Sequence, residues 1–147
     1  MEYIIADALE AELDQLEEIE HECFSVPWTR QQLLSQMPDE SHVFLTARSG
    51  GDTLGYVGMA YVLDEGYISN VAVRACARRQ GIGDALISTL TARAAALGLS
   101  FITLEVRRSN APAAALYGKH GFVPVGERKN YYEHPREDAV LMTKFMK

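Results

Sequence analysis

The sequence predicts an α/β (α+β) fold: one mixed, mostly antiparallel twisted sheet of about seven strands, flanked by about four helices. Three observations carry this expectation. Residues 42–73 hold three strand-like runs separated only by turn residues. Residues 67–106 read as strand, helix, strand, a βαβ unit whose two strands should be parallel. Residues 9–23 repeat apolar side chains at helical spacing.

The elements follow in order. Residues 2–6 (Glu-Tyr-Ile-Ile-Ala) read as a first strand. Asp7 and Glu10 resemble a capping box. Leu9, Leu13, Leu16, Ile19 and Cys23 then line one helix face. Thr29 with Gln32 caps a second, short helix that Pro38 ends. Residues 42–48 and 53–62 form a hairpin about Gly50-Gly51-Asp52, and Asp64-Glu65-Gly66 turns the chain into a fourth strand over 67–73. Ile82, Leu86, Ile87, Leu90, Ala94 and Leu97 mark a long helix that Gly98 closes. A strand over 100–106 follows. Asn110, with Pro112 in the first turn, caps a helix running to about His120. Residues 122–126 and 139–145 are the last strands, joined by a polar, Tyr-containing turn.

Composition bounds the function. The chain has 147 residues, 48% of them hydrophobic, which fits a single domain over 1–147. No apolar run reaches the roughly 18 residues of a membrane span, and the N-terminus lacks the pattern of a signal peptide, so a cytoplasmic protein is expected. Cys23 and Cys76 stand far apart with no ligand-spaced partner, so neither a disulfide nor a metal site is expected. His21, His42, His120 and His134 show no triad spacing. Net charge is −6, but residues 1–40 hold eleven acids and one base, while residues 41–147 hold nine acids and thirteen bases. The acidic part repels nucleic acid and suits a basic partner, or simply solvates a helix; the basic part suits a phosphorylated small molecule.

The first chemical motif is Arg78-Arg79-Gln80-Gly81-Ile82-Gly83, where a strand gives way to a long helix. Glycines let backbone N–H groups approach a phosphate, and the helix start adds free N–H groups and the positive dipole end. Arg74, Arg78 and Arg79 add charge, whereas Asp84 opposes an anion unless it turns away. Position 86 is Leu, so this is not a dinucleotide fingerprint, and no Gly-Lys-Ser/Thr follows, so it is not a P-loop. The second motif is Leu104-Glu105-Val106-Arg107 at the end of a central strand, with Tyr117 on the next helix. In open α/β sheets ligands bind beyond such strand ends.

The Arg78–Gly83 loop, after Val71-Ala72-Val73, resembles the coenzyme A motif of the GCN5-related N-acetyltransferase (GNAT) family. The resemblance covers nearly the whole chain. It implies a bulged fourth strand that splays from the fifth in a V. The pantetheine arm of acetyl-CoA would pair with the backbone of Val71, Ala72 and Val73. Its pyrophosphate would meet the N–H groups of Arg79, Gln80, Gly81, Ile82, Gly83 and Asp84, with Arg78 and Asn110 beside it.

Further segments are similar to the branch of that family that acetylates the N-terminal alanine of a small-subunit ribosomal protein. They are Phe24-Ser25-Val26-Pro27-Trp28, Ala115-Leu116-Tyr117, Asn130-Tyr131-Tyr132 and Arg136-Glu137-Asp138-Ala139. By that resemblance Glu105 is the general base, Tyr117 the general acid, and Trp28, Tyr131 and Tyr132 border the acceptor groove. The implied protein is a monomer that binds acetyl-CoA and a ribosomal protein N-terminus, with no metal, no membrane and no direct nucleic acid contact. A small-molecule amine as acceptor, or a coenzyme A-binding protein without transfer activity, are the alternatives. Ala75 and Ala77 depart from the Pro and Tyr that such chains often carry ahead of the loop.

Overall fold

The computed structural model describes residues 2–146. Seven strands form one sheet in the order β1-β2-β3-β4-β5-β7-β6. They are β1 (Ile4–Asp7), β2 (His42–Ser49), β3 (Asp52–Val62), β4 (Glu65–Val73), β5 (Phe101–Arg107), β6 (Val123–Glu133) and β7 (Arg136–Phe145). The helices are α1 (Leu13–Cys23), α2 (Arg30–Ser35), α3 (Ile82–Ala96) and α4 (Ala111–Lys119). Every neighbouring pair is antiparallel except β4 and β5, which are parallel as the βαβ reading requires.

Strand alternation divides the core between two faces. Val43, Leu45 and Ala47 of β2 and Val57 and Met59 of β3 pack beneath Ile82, Leu86, Ile87, Leu90 and Ala94 of α3. Phe44 and Tyr56 point the other way, beneath Leu13, Leu16 and Ile19 of α1 and Leu33 of α2. Both faces are covered, so the central strands are apolar throughout.

Four local expectations need correction. Asp7 caps nothing: it ends β1 and pairs with Arg93 at 3.0 Å. Glu12 takes its place, accepting the Leu9 N–H at 3.0 Å over a short 3-10 turn, so α1 starts at Leu13 and Leu9 stays half exposed. The second hairpin turns at Leu63-Asp64, and Glu65-Gly66 already belong to β4. A Cβ on Gly66 would sit 2.9 Å from both Leu99 and Met59, so glycine is kept there by packing rather than by a turn. α2 ends at Ser35, three residues before Pro38. Finally, β6 runs to Glu133 instead of stopping at 126, which leaves only His134-Pro135 as the hairpin tip. It is an exposed edge strand whose charges hide its alternation.

The feature that positions the site is the parting of β4 from β5. They pair only over Glu65–Tyr67 and Phe101–Thr103. β5 then stays with β7 along its whole length, while β4 stays with β3. A bulge at Ser69, between the Met59–Ile68 and Gly58–Asn70 pairs, bends β4 away. Residues 68–73 therefore face an open V with one side of their backbone unpaired by the sheet.

Candidate active site

The open end of the V meets a helix start. Arg79 (φ 63°) and Gly81 (φ 77°) are both left-handed, and this curls the chain into the first turn of α3. The first N–H groups of a helix have no partner within it, so this end presents donors and a positive dipole end. Asp84 does not spoil it. Its carboxylate is turned to α4, where Lys119 Nζ lies at 3.0 Å and His120 Nε2 at 2.9 Å, and these partners hold its pKa below the usual carboxylate value. Arg78 bends back instead of reaching out: its Nε donates to the Val73 carbonyl at 3.1 Å. Arg74 leaves the site altogether, donating to the Thr53 carbonyl at 2.7 Å and pairing with Glu18 at 2.9 Å.

Ala75 and Ala77 lie in a short 3-10 turn, with Ala77 fully buried. The Ala75 N–H donates to Glu22 at 2.6 Å, a bond that proline cannot make. The departure from the family pattern is thus used to tie the loop to α1.

A cavity of about 430 Å³ runs along this wall. Val71, Ala72 and Val73 line it with Arg78, Arg79, Gly81, Ile82, Gly83 and Asp84. Asn110, Leu116 and Tyr117 close the α4 side, and Cys23 and Phe24 the α1 side. The structure thus gathers all but Gln80 of the residues expected at the coenzyme. Asn110 caps α4, accepting the Ala113 N–H at 3.2 Å. Tyr117 is 8% exposed, and burial pushes its phenol up to about 12.

Glu105 stands across the V on β5, its side chain only 6% exposed. Oε2 accepts from Arg128 Nε at 3.0 Å, and Oε1 accepts from the Tyr67 hydroxyl. Neither Tyr67 nor Arg128 is among the residues expected from the sequence. Tyr67 pairs with Thr103, so Glu105 is its diagonal neighbour on the parallel strand. That register has no signal in sequence. Arg128 lies where β6 bulges away from β7, between the Arg128–Ala139 and Tyr132–Glu137 pairs.

Tyr131 and Tyr132 come to the same place. Arg107 stacks on the Tyr132 ring at 4.2 Å and donates to the Pro135 carbonyl at 2.9 Å, fixing the hairpin against the end of β5. Burial is the main cause that raises the Tyr132 phenol to about 12, with Tyr131 and Glu105 adding to it. Tyr132 adds a smaller upward push to the Tyr117 phenol. Trp28 is half buried against the α1–α2 core. The loop that carries it does touch the hairpin, through Ser25 Oγ donating to the His134 carbonyl at 2.6 Å.

The acetyltransferase (GNAT) family model matches residues 13–122, which spans the V, the curled loop, Glu105 and Tyr117. The chain belongs to this family. Curated GNAT relatives include the ribosomal protein bS18-alanine N-acetyltransferase of Escherichia coli (strain K12), 35% identical over 126 residues and 84% of each chain. The enzyme of the same name from Haemophilus ducreyi is 32% identical over 146 residues, 97% of this chain and all of that one. The crystal structure of the ribosomal-protein-S18-alanine N-acetyltransferase from Escherichia coli superimposes with a TM-score of 0.91 at 31% identity, covering 99% of this chain and 94% of that one. NAA60 of Arabidopsis thaliana in complex with acetyl-CoA shares the GNAT fold, with a TM-score of 0.89 at 20% identity over 99% of this chain and all of that one.

Proposed function

We propose that this GNAT chain transfers the acetyl group of acetyl-CoA to the N-terminal α-amino group of a ribosomal protein that begins with alanine. The observation that carries the reading is the unpaired edge of β4, which leads from the anion-suited start of α3 to the buried Glu105. The names and identities of the relatives supply the acceptor. The whole chain acts as one monomeric catalytic domain in the cytoplasm, and no helix among the described residues is long and apolar enough to cross a membrane.

In this reading the pyrophosphate sits on the N–H groups of residues 79–84, and the pantetheine arm adds to β4 as a strand would, pairing with the backbone at Val71 and Val73. Asn110 and Arg78 flank it. An α-ammonium of pKa near 8 must lose a proton before it can attack, and Glu105 takes that proton directly or through a water. The neutral amine adds to the thioester carbonyl, and backbone N–H near Val73 faces the developing oxyanion. The C–S bond then breaks as the Tyr117 hydroxyl gives its proton to the departing sulfur, and the proton that the nitrogen sheds on becoming an amide returns to Tyr117 directly or through water. Trp28, Tyr131 and Tyr132 border the acceptor's path.

The deciding experiment is mass spectrometry of two peptides incubated with enzyme and acetyl-CoA. One carries the ribosomal protein's free N-terminal alanine; the other has a blocked N-terminus and a free lysine. One acetyl group on the first and none on the second supports the reading. Acetylation of neither, with acetyl-CoA bound, turns the search to small amines. Gly81→Ala tests the cradle. Left-handed backbone costs a Cβ residue about 1–2 kcal/mol, so both melting temperature and coenzyme A affinity by calorimetry are expected to fall. Unchanged coenzyme A affinity places the pyrophosphate elsewhere.

A further inference from the structure

The mechanism leaves one fully buried acid without a task. Glu20 of α1 is 0% exposed, and no neighbouring charge contributes to its titration. Its Oε1 accepts the backbone N–H of Trp28 at 2.7 Å, and its Oε2 accepts the Tyr56 hydroxyl. The Tyr56 oxygen in turn accepts from Asn70 Nδ2 at 3.3 Å. One carboxyl thereby ties together the loop after α1, the middle of β3, and the first residue of β4 beyond its bulge. Val71, the next residue, lines the cleft, and so do Cys23 and Phe24 at the start of the loop.

The donors decide which form of Glu20 completes this chain. As a carboxylate it accepts from both Trp28 and Tyr56, and every proton in the sequence Asn70 to Tyr56 to Glu20 has an acceptor. Protonated on Oε2, it would donate to a Tyr56 oxygen that already accepts from Asn70, and the Tyr56 proton would have to turn away. Burial works in the opposite direction and raises the Glu20 pKa to about 7, with the Trp28 bond partly offsetting it. The groups that face it are Tyr56 from β3, Asn70 from β4 through Tyr56, the Trp28 backbone from the loop, and Cys23 one turn along its own helix. None is a cation.

We propose that Glu20 is a positioning residue for acetyl transfer, its carboxylate fixing the acceptor-side loop and the bulged stretch of β4 relative to each other. The proposal rests on the acetyltransferase reading above. Protonation slackens both ties, so the acceptor KM rises as pH falls through about 7.

The test is steady-state kinetics of the wild type, Glu20→Gln and Tyr56→Phe between pH 6 and 8.5, with the alanine peptide and acetyl-CoA varied in turn. Gln has a single oxygen for two donors; with that oxygen on the Tyr56 hydroxyl, its N–H₂ opposes the Trp28 N–H and releases the acceptor-side loop. Losing a hydrogen bond to a charged group is expected to raise the peptide KM about tenfold at pH 8, with kcat within twofold. The rise in KM below pH 7 should vanish in this variant. Tyr56→Phe keeps the Trp28 tie and frees Asn70, so it should raise the KM for acetyl-CoA and spare that for the peptide.

Stability gives a second readout. An acid whose folded pKa is raised binds its proton more tightly when folded, so wild-type stability falls as pH climbs from about 4.5 to about 7. Glu20→Gln lacks that slope, and its melting temperature should gain on the wild type across this range. Folded variants with both KM values at wild type, or with a changed melting temperature alone, overturn the proposal. If Glu20→Gln fails to fold, Tyr56→Phe decides. A wild type inactive on the peptide removes the acceptor reading instead, and coenzyme A affinity of Tyr56→Phe by calorimetry then carries the test.

Discussion

Glu105→Gln is expected to lower kcat/KM for the alanine peptide about 10²–10³-fold at pH 7 and to recover part of the loss by pH 9. The loss follows from the proton inventory. A carboxylate offers about four lone-pair sites, and Tyr67 and Arg128 use two of them, one on each oxygen. Lone pairs remain for the ammonium of the acceptor. Glutamine has a single oxygen, and whichever way the amide turns, its N–H₂ opposes the donor of Tyr67 or of Arg128. The variant thus loses its base and disturbs the two groups around it. Recovery at high pH follows because the free amine is then supplied by solution rather than by the enzyme. The check is a pH–rate profile from pH 6 to 9.5 for both proteins. Parallel profiles would show that Glu105 binds without moving a proton.

Tyr117→Phe is expected to lower kcat about 10²-fold, leave acetyl-CoA affinity within twofold, and keep the wild-type shape of the pH profile. Burial raises its phenol to about 12, so Tyr117 keeps its proton throughout the working range and stands as the donor to the sulfur as charge collects there. A donor that never titrates in the working range adds no limb to the profile. That distinguishes it from Glu105, whose removal changes the profile's slope. The measurement is kcat against pH together with coenzyme A affinity by calorimetry. Loss in the variant of a high-pH fall that the wild type shows would assign the titrating role to Tyr117 after all.

Much of this site was legible before the fold. The Arg78–Gly83 loop, Asn110, Glu105 and Tyr117 lie in short stretches whose local pattern reports their place, because a helix start or a strand end is a local event. What the sequence hid is non-local. Tyr67 and Arg128 reach Glu105 only through the β4–β5 register and a bulge in β6, and neither is encoded within a few residues. The length of β6 was masked by its exposure, since a strand with no buried face shows no apolar alternation. Asp7 reads as a cap in sequence because the pattern of a cap and the end of an edge strand look alike. Trp28 is expected at the groove only by resemblance, and its packing against the α1–α2 core depends on helices that come together only in the fold.

The parting of β4 from β5 has an evolutionary consequence. What β4 offers along the V is main chain, and main-chain donors and acceptors are the same whatever side chain each residue carries. Substitutions along this wall alter packing on the two faces of the sheet without rewriting the pattern of donors and acceptors along its open edge. Selection on the coenzyme site then falls on the bulge, the curled loop and the glycine that permits it, and leaves the remaining positions free to drift. Two chains can part until only about a third of their residues agree and still present the same row of main-chain donors and acceptors.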